Sequence, residues 1–175
     1  ESLEALVRAR PGSPVRAHAR PAGTAVRVPM NRGGWQVLPG AAAKRAATGA
    51  AVGAVTLRRA PNGTVRWLTG RLGTTGLTAG KNTSADALAG AALGVVQAYG
   101  DMLRLEDPAR ELRLTGAAHD ALGYAHVRFE QTYEGLPVWG RDLFVHLDAG
   151  GQVSAVNGTY EPTPRGVETR AQLTA

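Results

Sequence analysis

Histidine is the first residue type to weigh, because it supplies both metal ligands and acid–base groups near neutral pH. The chain has four: His18, His119, His126 and His146. None stands in a His-Glu-x-x-His array, whose two imidazoles on one helical face would grip a zinc ion. His126 and His146 can face each other across one hairpin, but two imidazoles without a third ligand make a poor zinc site. Sheet-surface or hydrogen-bonded histidines are the expected reading. There is no Gly-x-Ser-x-Gly elbow for a serine nucleophile. The Gly-rich stretch Gly70–Gly76 lacks the Lys-Ser/Thr that completes a phosphate loop. With no cysteine, disulfides, thiolate metal sites and Cys nucleophiles are excluded. Asp101, Glu106 and Asp107 cluster at a predicted helix end, the mark of a solvated face. This chain is therefore expected to have no catalytic residues, no cofactor and no metal of its own.

The charge is uneven. Residues 1–60 hold ten Lys/Arg and only Glu1 and Glu4 as acids, whereas residues 61–175 hold ten Lys/Arg and twelve acids. An Arg-rich arm suits nucleic acid or an acidic protein surface. Nucleic-acid recognition also wants aromatics interleaved with the bases. Residues 1–60 offer only Trp35, so nucleic acid is not an expected partner, and polyanion binding through the arm stays a minor alternative to a solvated arm. The apolar runs are too short for a membrane span.

The elements follow from periodicity. Residues 1–51 read as a basic arm and linker, with a short alternating strand at 24–29, a turn at Asn31–Gly34, and a loop or weak helix at 41–51. Val52–Leu57 and Val65–Leu72 read as strands of a hairpin turned at Pro61-Asn62-Gly63, with Val65 and Trp67 expected on one side. Asn82-Thr83-Ser84 offers N-cap side chains. Leu88, Ala92, Val95, Tyr99 and Met102 then form one helical stripe ending near Leu105. Gly90 and Gly94 interrupt helix propensity, so close packing is expected there. Asn62, Asn82 and Asn157 each open an Asn-x-Ser/Thr glycosylation pattern, but two of the three double as turn or cap chemistry, which is the preferred reading.

From Glu111 the period becomes two. Leu112 and Leu114 begin a strand. In Tyr124–Tyr133, Ala125, Val127, Phe129, Gln131 and Tyr133 share one face, and His126, Arg128, Glu130 and Thr132 the other. Residues 134–137 turn the chain. Leu143, Val145 and Leu147 return, Asp148–Gly151 turns again, and Val153–Asn157 is the last strand. The expectation is an α+β fold: an antiparallel β-sheet meander with one main helix packed on it, preceded by an extended basic arm. Residues 52–162 would form the domain and 163–175 a linker.

The stretch 122–160, LGYAHVRFEQTYEGLPVWGRDLFVHLDAGGQVSAVNGTY, resembles the propeptide of fungalysin- and thermolysin-type zinc metallopeptidases. The residues that carry the likeness are His126, Arg128, Phe129, Gln131, Tyr133, Gly135, Pro137, Val138, Trp139 and Gly140. Asp148, Gly151, Val153, Val156, Asn157 and Gly158 continue it. Trp67–Leu72 and residues 84–107 extend it more weakly upstream. The resemblance implies a secreted or extracellular zymogen segment (periplasmic before export), with the linker at 163–175 leading toward a second pro-domain. Its partner would be the cognate metallopeptidase domain, which it helps to fold and holds inactive. Zinc, with calcium as a further candidate, would belong to that parent enzyme. Gly135, Pro137, Gly140, Asp148, Gly151, Asn157 and Gly158 suit structural turns. Tyr133, Trp139, Arg128 and Gln131 are the candidate partner-binding residues. A free-standing binding or inhibitor module of the same fold is the alternative.

Overall fold

The computed structural model describes residues 34–38, 54–80 and 82–170. The expectations for residues 1–33 and 39–53, the basic arm included, lie outside the described residues, as do those for 171–175.

Among the described residues, seven strands form one antiparallel sheet: β1 Trp35–Leu38, β2 Val55–Arg59, β3 Val65–Thr74, β4 Leu112–His119, β5 Ala125–Tyr133, β6 Leu136–Leu147 and β7 Gln152–Thr159. Three helices lie between β3 and β4: α1 Ala85–Ala98, α2 Gly100–Leu103 and α3 Pro108–Glu111. The fold is α+β, but the sheet is not a simple meander. Its order is β1-β2-β3-β7-β6-β5-β4, so the last strand inserts between the two halves and pairs with β3. The helical segment is the connection that carries the chain from β3 to the far edge. Strand β1, in a stretch read only as following a turn, pairs with β2 through Trp35↔Arg58 and Val37↔Thr56.

Helix α1 packs across β3, β4, β5 and β7. Its N-cap is Ser84, whose hydroxyl accepts from the Ala87 N–H at 3.2 Å and so satisfies one of the free donors of the first turn. The expected stripe is buried, with Leu88, Ala92, Val95, Tyr99 and Met102 in the core beside Ala89, Val96 and Leu103. It does not run to Leu105 as one helix. Tyr99 leaves helical geometry, and the short α2 ends at Arg104, whose φ of 64° is left-handed. Burial pushes the Tyr99 phenol up to about 12. It also raises that of Tyr160, whose hydroxyl accepts from the Val65 N–H.

In β3, Val65, Leu68 and Leu72 are buried, but Trp67 faces out. A bulge sets Arg58 opposite Trp67 and Arg59 opposite Val65, and skipping one residue reverses the side-chain alternation. Asn62 holds the β2–β3 turn. Its amide oxygen accepts from the Thr64 N–H and hydroxyl, and its nitrogen donates to the Tyr160 carbonyl.

Close packing at Gly90 and Gly94 is not found: both are exposed, and nothing lies within 4 Å of where a Cβ would stand. Alanine at either position should stabilise the protein by about 0.5–1 kcal/mol through helix propensity, read as a raised midpoint in urea. Gly158 is the opposite case. A Cβ there would run into the carbonyl oxygen of Asp142 and lie 3.0 Å from the Leu143 Cα, so Gly158→Ala should lower the same midpoint.

Candidate functional site

The β5–β6 hairpin gathers most of the candidate residues. Its turn is tighter than the four residues read from sequence. Tyr133 pairs with Leu136, leaving Glu134-Gly135 as a two-residue loop, and Pro137 already lies in β6 opposite Thr132. Both loop residues have positive φ, 49° at Glu134 and 82° at Gly135. A two-residue hairpin with that twist demands a left-handed pair, which is why glycine stands second.

Beyond the turn the ladder breaks. Thr132 faces Pro137 and Glu130 faces Asp142, so Gln131 alone stands opposite Val138, Trp139, Gly140 and Arg141. This excursion, with Gly140 at φ 67°, throws Trp139 outward until it is 80% exposed, and Leu136, three residues earlier on the same strand, is 50% exposed. Tyr133 is half-buried at the base of the turn. An exposed indole and leucine on one hairpin end form an apolar tip of the kind that serves recognition.

The tip is held from below. Gln131 is fully buried, and its amide meets one backbone residue at two points. The Gln131 nitrogen donates to the Glu161 carbonyl at 2.9 Å, and the Glu161 N–H donates to the Gln131 oxygen at 2.9 Å. The Glu161 carboxylate accepts from Arg141, at the end of the excursion, at 2.9 Å, and from Asn62 at 3.0 Å. Gln131 therefore faces the interior, whereas Tyr133 and Trp139 reach the outside.

Arg128 lies on the sheet face that the helices leave open. Its guanidinium pairs with Asp142 at 2.8 Å and sits 5.7 Å from the centre of the Phe144 ring; the Asp142 contact raises its pKa. The same face carries Trp67, His126 and His146. Asp148 folds back on its turn, accepting from the N–H groups of Gly150 and Gln152. Gly151 in that turn lies against the Leu77 carbonyl, and its own carbonyl accepts from the Thr75 N–H and hydroxyl. Asn157 on β7 bonds His146. Among the described residues no group of three or more His, Cys, Asp or Glu is placed to hold a metal, and no helix is long and apolar enough to cross a membrane.

Sequence reasoning missed Leu136, which had been absorbed into the turn, and Glu161, whose importance comes mainly from its backbone. The segment after Pro162, read as a linker, lies against the fold. The Thr163 hydroxyl bonds the Glu111 carboxylate at 2.8 Å and accepts from the Glu106 N–H, Arg165 pairs with Glu106, and the Thr169 hydroxyl bonds Glu134 at the hairpin turn.

A family model described as the Fungalysin/Thermolysin Propeptide Motif matches residues 110–160, the stretch from the end of α3 through β7. Bacillolysin of Bacillus subtilis is 40% identical over 52 residues, which is 30% of this chain and 10% of that protein. The thermolysins of Alicyclobacillus acidocaldarius and Bacillus caldolyticus are 40% identical over 73 residues, 40% of this chain and 13% of theirs. The chain thus spans only about a tenth of the length of the curated relatives it matches. No solved structure matches it significantly.

The geometry separates two kinds of signature residue. Gln131→Leu leaves the part-buried Glu161 N–H and carbonyl without their side-chain partner and should cost about 1–3 kcal/mol, measured by denaturant unfolding. Trp139→Ala removes an exposed side chain and should change stability by no more than about 0.5 kcal/mol.

Proposed function

We propose that this chain is the pro-region of a secreted zinc metallopeptidase, and that it works by binding rather than by chemistry. The observation that carries the reading is the propeptide motif at residues 110–160, an ordered match that covers every strand of the β4–β7 half. The likeness to bacillolysin and thermolysin supports it. On this reading the partner is the cognate peptidase domain, zinc (with calcium a further candidate) resides there, and the setting is extracellular.

The mechanism follows from linkage. A segment that binds the native peptidase and not the unfolded one shifts the equilibrium toward the native form, by about 2.7 kcal/mol when its concentration is 100 times the dissociation constant. A covalent tether raises that concentration into the millimolar range without any new contact. The same complex inhibits if it covers the active-site cleft. Trp139, Leu136 and Tyr133 are the contact residues in this proposal. Arg128 is a polar neighbour on the open face, and Gln131 fixes the tip from beneath.

The test is refolding of the denatured downstream peptidase domain with and without this chain, followed by titration calorimetry. The expected result is recovery of activity that depends on the chain, and saturable binding. Trp139→Ala combined with Leu136→Ser should weaken binding at least about tenfold at an unchanged melting midpoint. Unaltered affinity in that variant would move the contact off the hairpin tip. A wild-type chain that neither binds nor assists refolding would overturn the reading and favour a free-standing module with another partner.

A further inference from the structure

On the open face of the sheet, His126 of β5 and His146 of β6 are direct cross-strand partners. Their Nδ1 atoms are 2.7 Å apart and their rings meet edge to face, with centroids 5.0 Å apart. At the outer ends, His126 Nε2 meets Asp120 Oδ2 at 3.3 Å and His146 Nε2 meets Asn157 Oδ1 at 2.5 Å. A carboxylate oxygen and an amide oxygen can only accept, so both Nε2 atoms carry hydrogen. A neutral imidazole has one hydrogen. If both rings were neutral, two bare Nδ1 lone pairs would face each other at hydrogen-bond distance. One additional proton between them turns that repulsion into an N–H···N bond and gives the pair a single positive charge.

Asn157 allows a second state. Turning its amide presents the nitrogen as a donor to His146 Nε2, which then needs no hydrogen. His146 Nδ1–H donates to His126 Nδ1, His126 Nε2–H donates to Asp120, and the chain is satisfied with both rings neutral. The neutral and singly charged states thus differ by one proton and one amide rotation, and both keep one hydrogen in the slot between the rings. A second added proton has no such outlet. It would set two N–H groups head to head at 2.7 Å, and the rings would have to part.

The surrounding charges favour the singly charged state. Arg128 is paired with Asp142, and Glu130 with Arg113, across the same face. Asp148 is turned into its own loop. The groups on β7 and β3 nearest the pair, Ala155, Asn157, Trp67 and Thr69, carry no charge. That leaves Asp120 as the carboxylate bonded to the pair. Desolvation alone would raise its pKa, but the N–H groups of Tyr124 and Leu122 together with His126 outweigh it and hold the carboxyl below its ordinary value.

We propose that His126 and His146 form one proton-sharing clasp between β5 and β6, which holds a single hydrogen between the rings and is forced open when a further proton is added. The clasp makes the fold acid-sensitive. It concerns this chain's own residues and stands whether or not the chain serves a peptidase. Consistent with a resisted last proton, desolvation lowers the pKa of His146, the bond to Asn157 opposes it in part, and the neighbouring His126 adds a lesser lowering. The sign follows: in the window between the lowered folded value and the ordinary histidine value of about 6.5, the unfolded chain binds more protons. The contribution of this last proton to stability is therefore complete above that window and lost as pH falls through it.

The test uses the full chain. Imidazole nitrogen NMR across pH 8 to 4.5 should show a coupling between the two Nδ1 atoms and a last protonation of His146 that falls below the ordinary histidine value of about 6.5. The melting midpoint should fall by about 3–6 °C between pH 7.5 and 5, and the doubly substituted His126→Gln, His146→Gln chain should lose most of that fall. Should the variant not fold, the wild-type spectra decide alone. Two independent titrations near 6.5 without coupling would overturn the proposal, as would a melting midpoint equal at both pH values.

Discussion

Strand β7 closes the fold. It is made last in the chain, yet it lies between β3 and β6, so two hairpin systems separated by the whole helical segment must meet along it. Contacts between residues so distant in sequence come at a cost in loop-closure entropy before any apolar surface is repaid. Helix α1 offsets that cost by packing on strands of both halves, β3 and β7 on one side and β4 and β5 on the other. Gly158 matters for the same reason, since the chain can approach the Asp142 carbonyl only where there is no side chain. Once β7 is seated, Tyr160 is drawn into the core beneath Val65, and Glu161 falls within reach of both Gln131 and Asn62.

The parts of the fold that were legible in the sequence were the periodic ones. The helical stripe from Leu88 to Met102 and the alternation from Ala125 to Gln131 state their period directly, and both are buried as the pattern requires. What was illegible was whatever breaks a period. The bulge beside Arg59 inverted the side of Trp67. The excursion at 138–141 displaced Trp139 by a break in strand pairing, which depends on the partner strand as well as on local sequence. The insertion of β7 is a long-range pairing with no local signal. Gly90 and Gly94 misled in the other direction, since glycine in a helix suggests a close neighbour and here there is open solvent. Of the candidate surface, Trp139 and Tyr133 could be chosen by type alone. Leu136 needed the true position of the turn, and Glu161 needed the fold.

The motif residues divide by where they point. Phe129, Gln131, Val153, Val156 and Gly158 serve the interior and the seam, whereas Trp139 stands in solvent without a structural duty. His126 and Asn157, near the two ends of the motif, are joined across three strands through His146. A sequence signature can therefore be long because it encodes a sheet, with only a small part of it free for recognition.

The fastening of residues 163–170 has a mechanical consequence. A pull on the chain beyond Arg170 meets the Thr169–Glu134 bond first, then the Arg165–Glu106 pair, and the Thr163–Glu111 bond last. Three weak links arranged one behind another yield in sequence, like the teeth of a zip, so a modest force peels this strip without reaching the core. The first link sits on the turn that presents Leu136 and Trp139. Tension on the strip would therefore be felt at the apolar tip before anything else in the molecule moved.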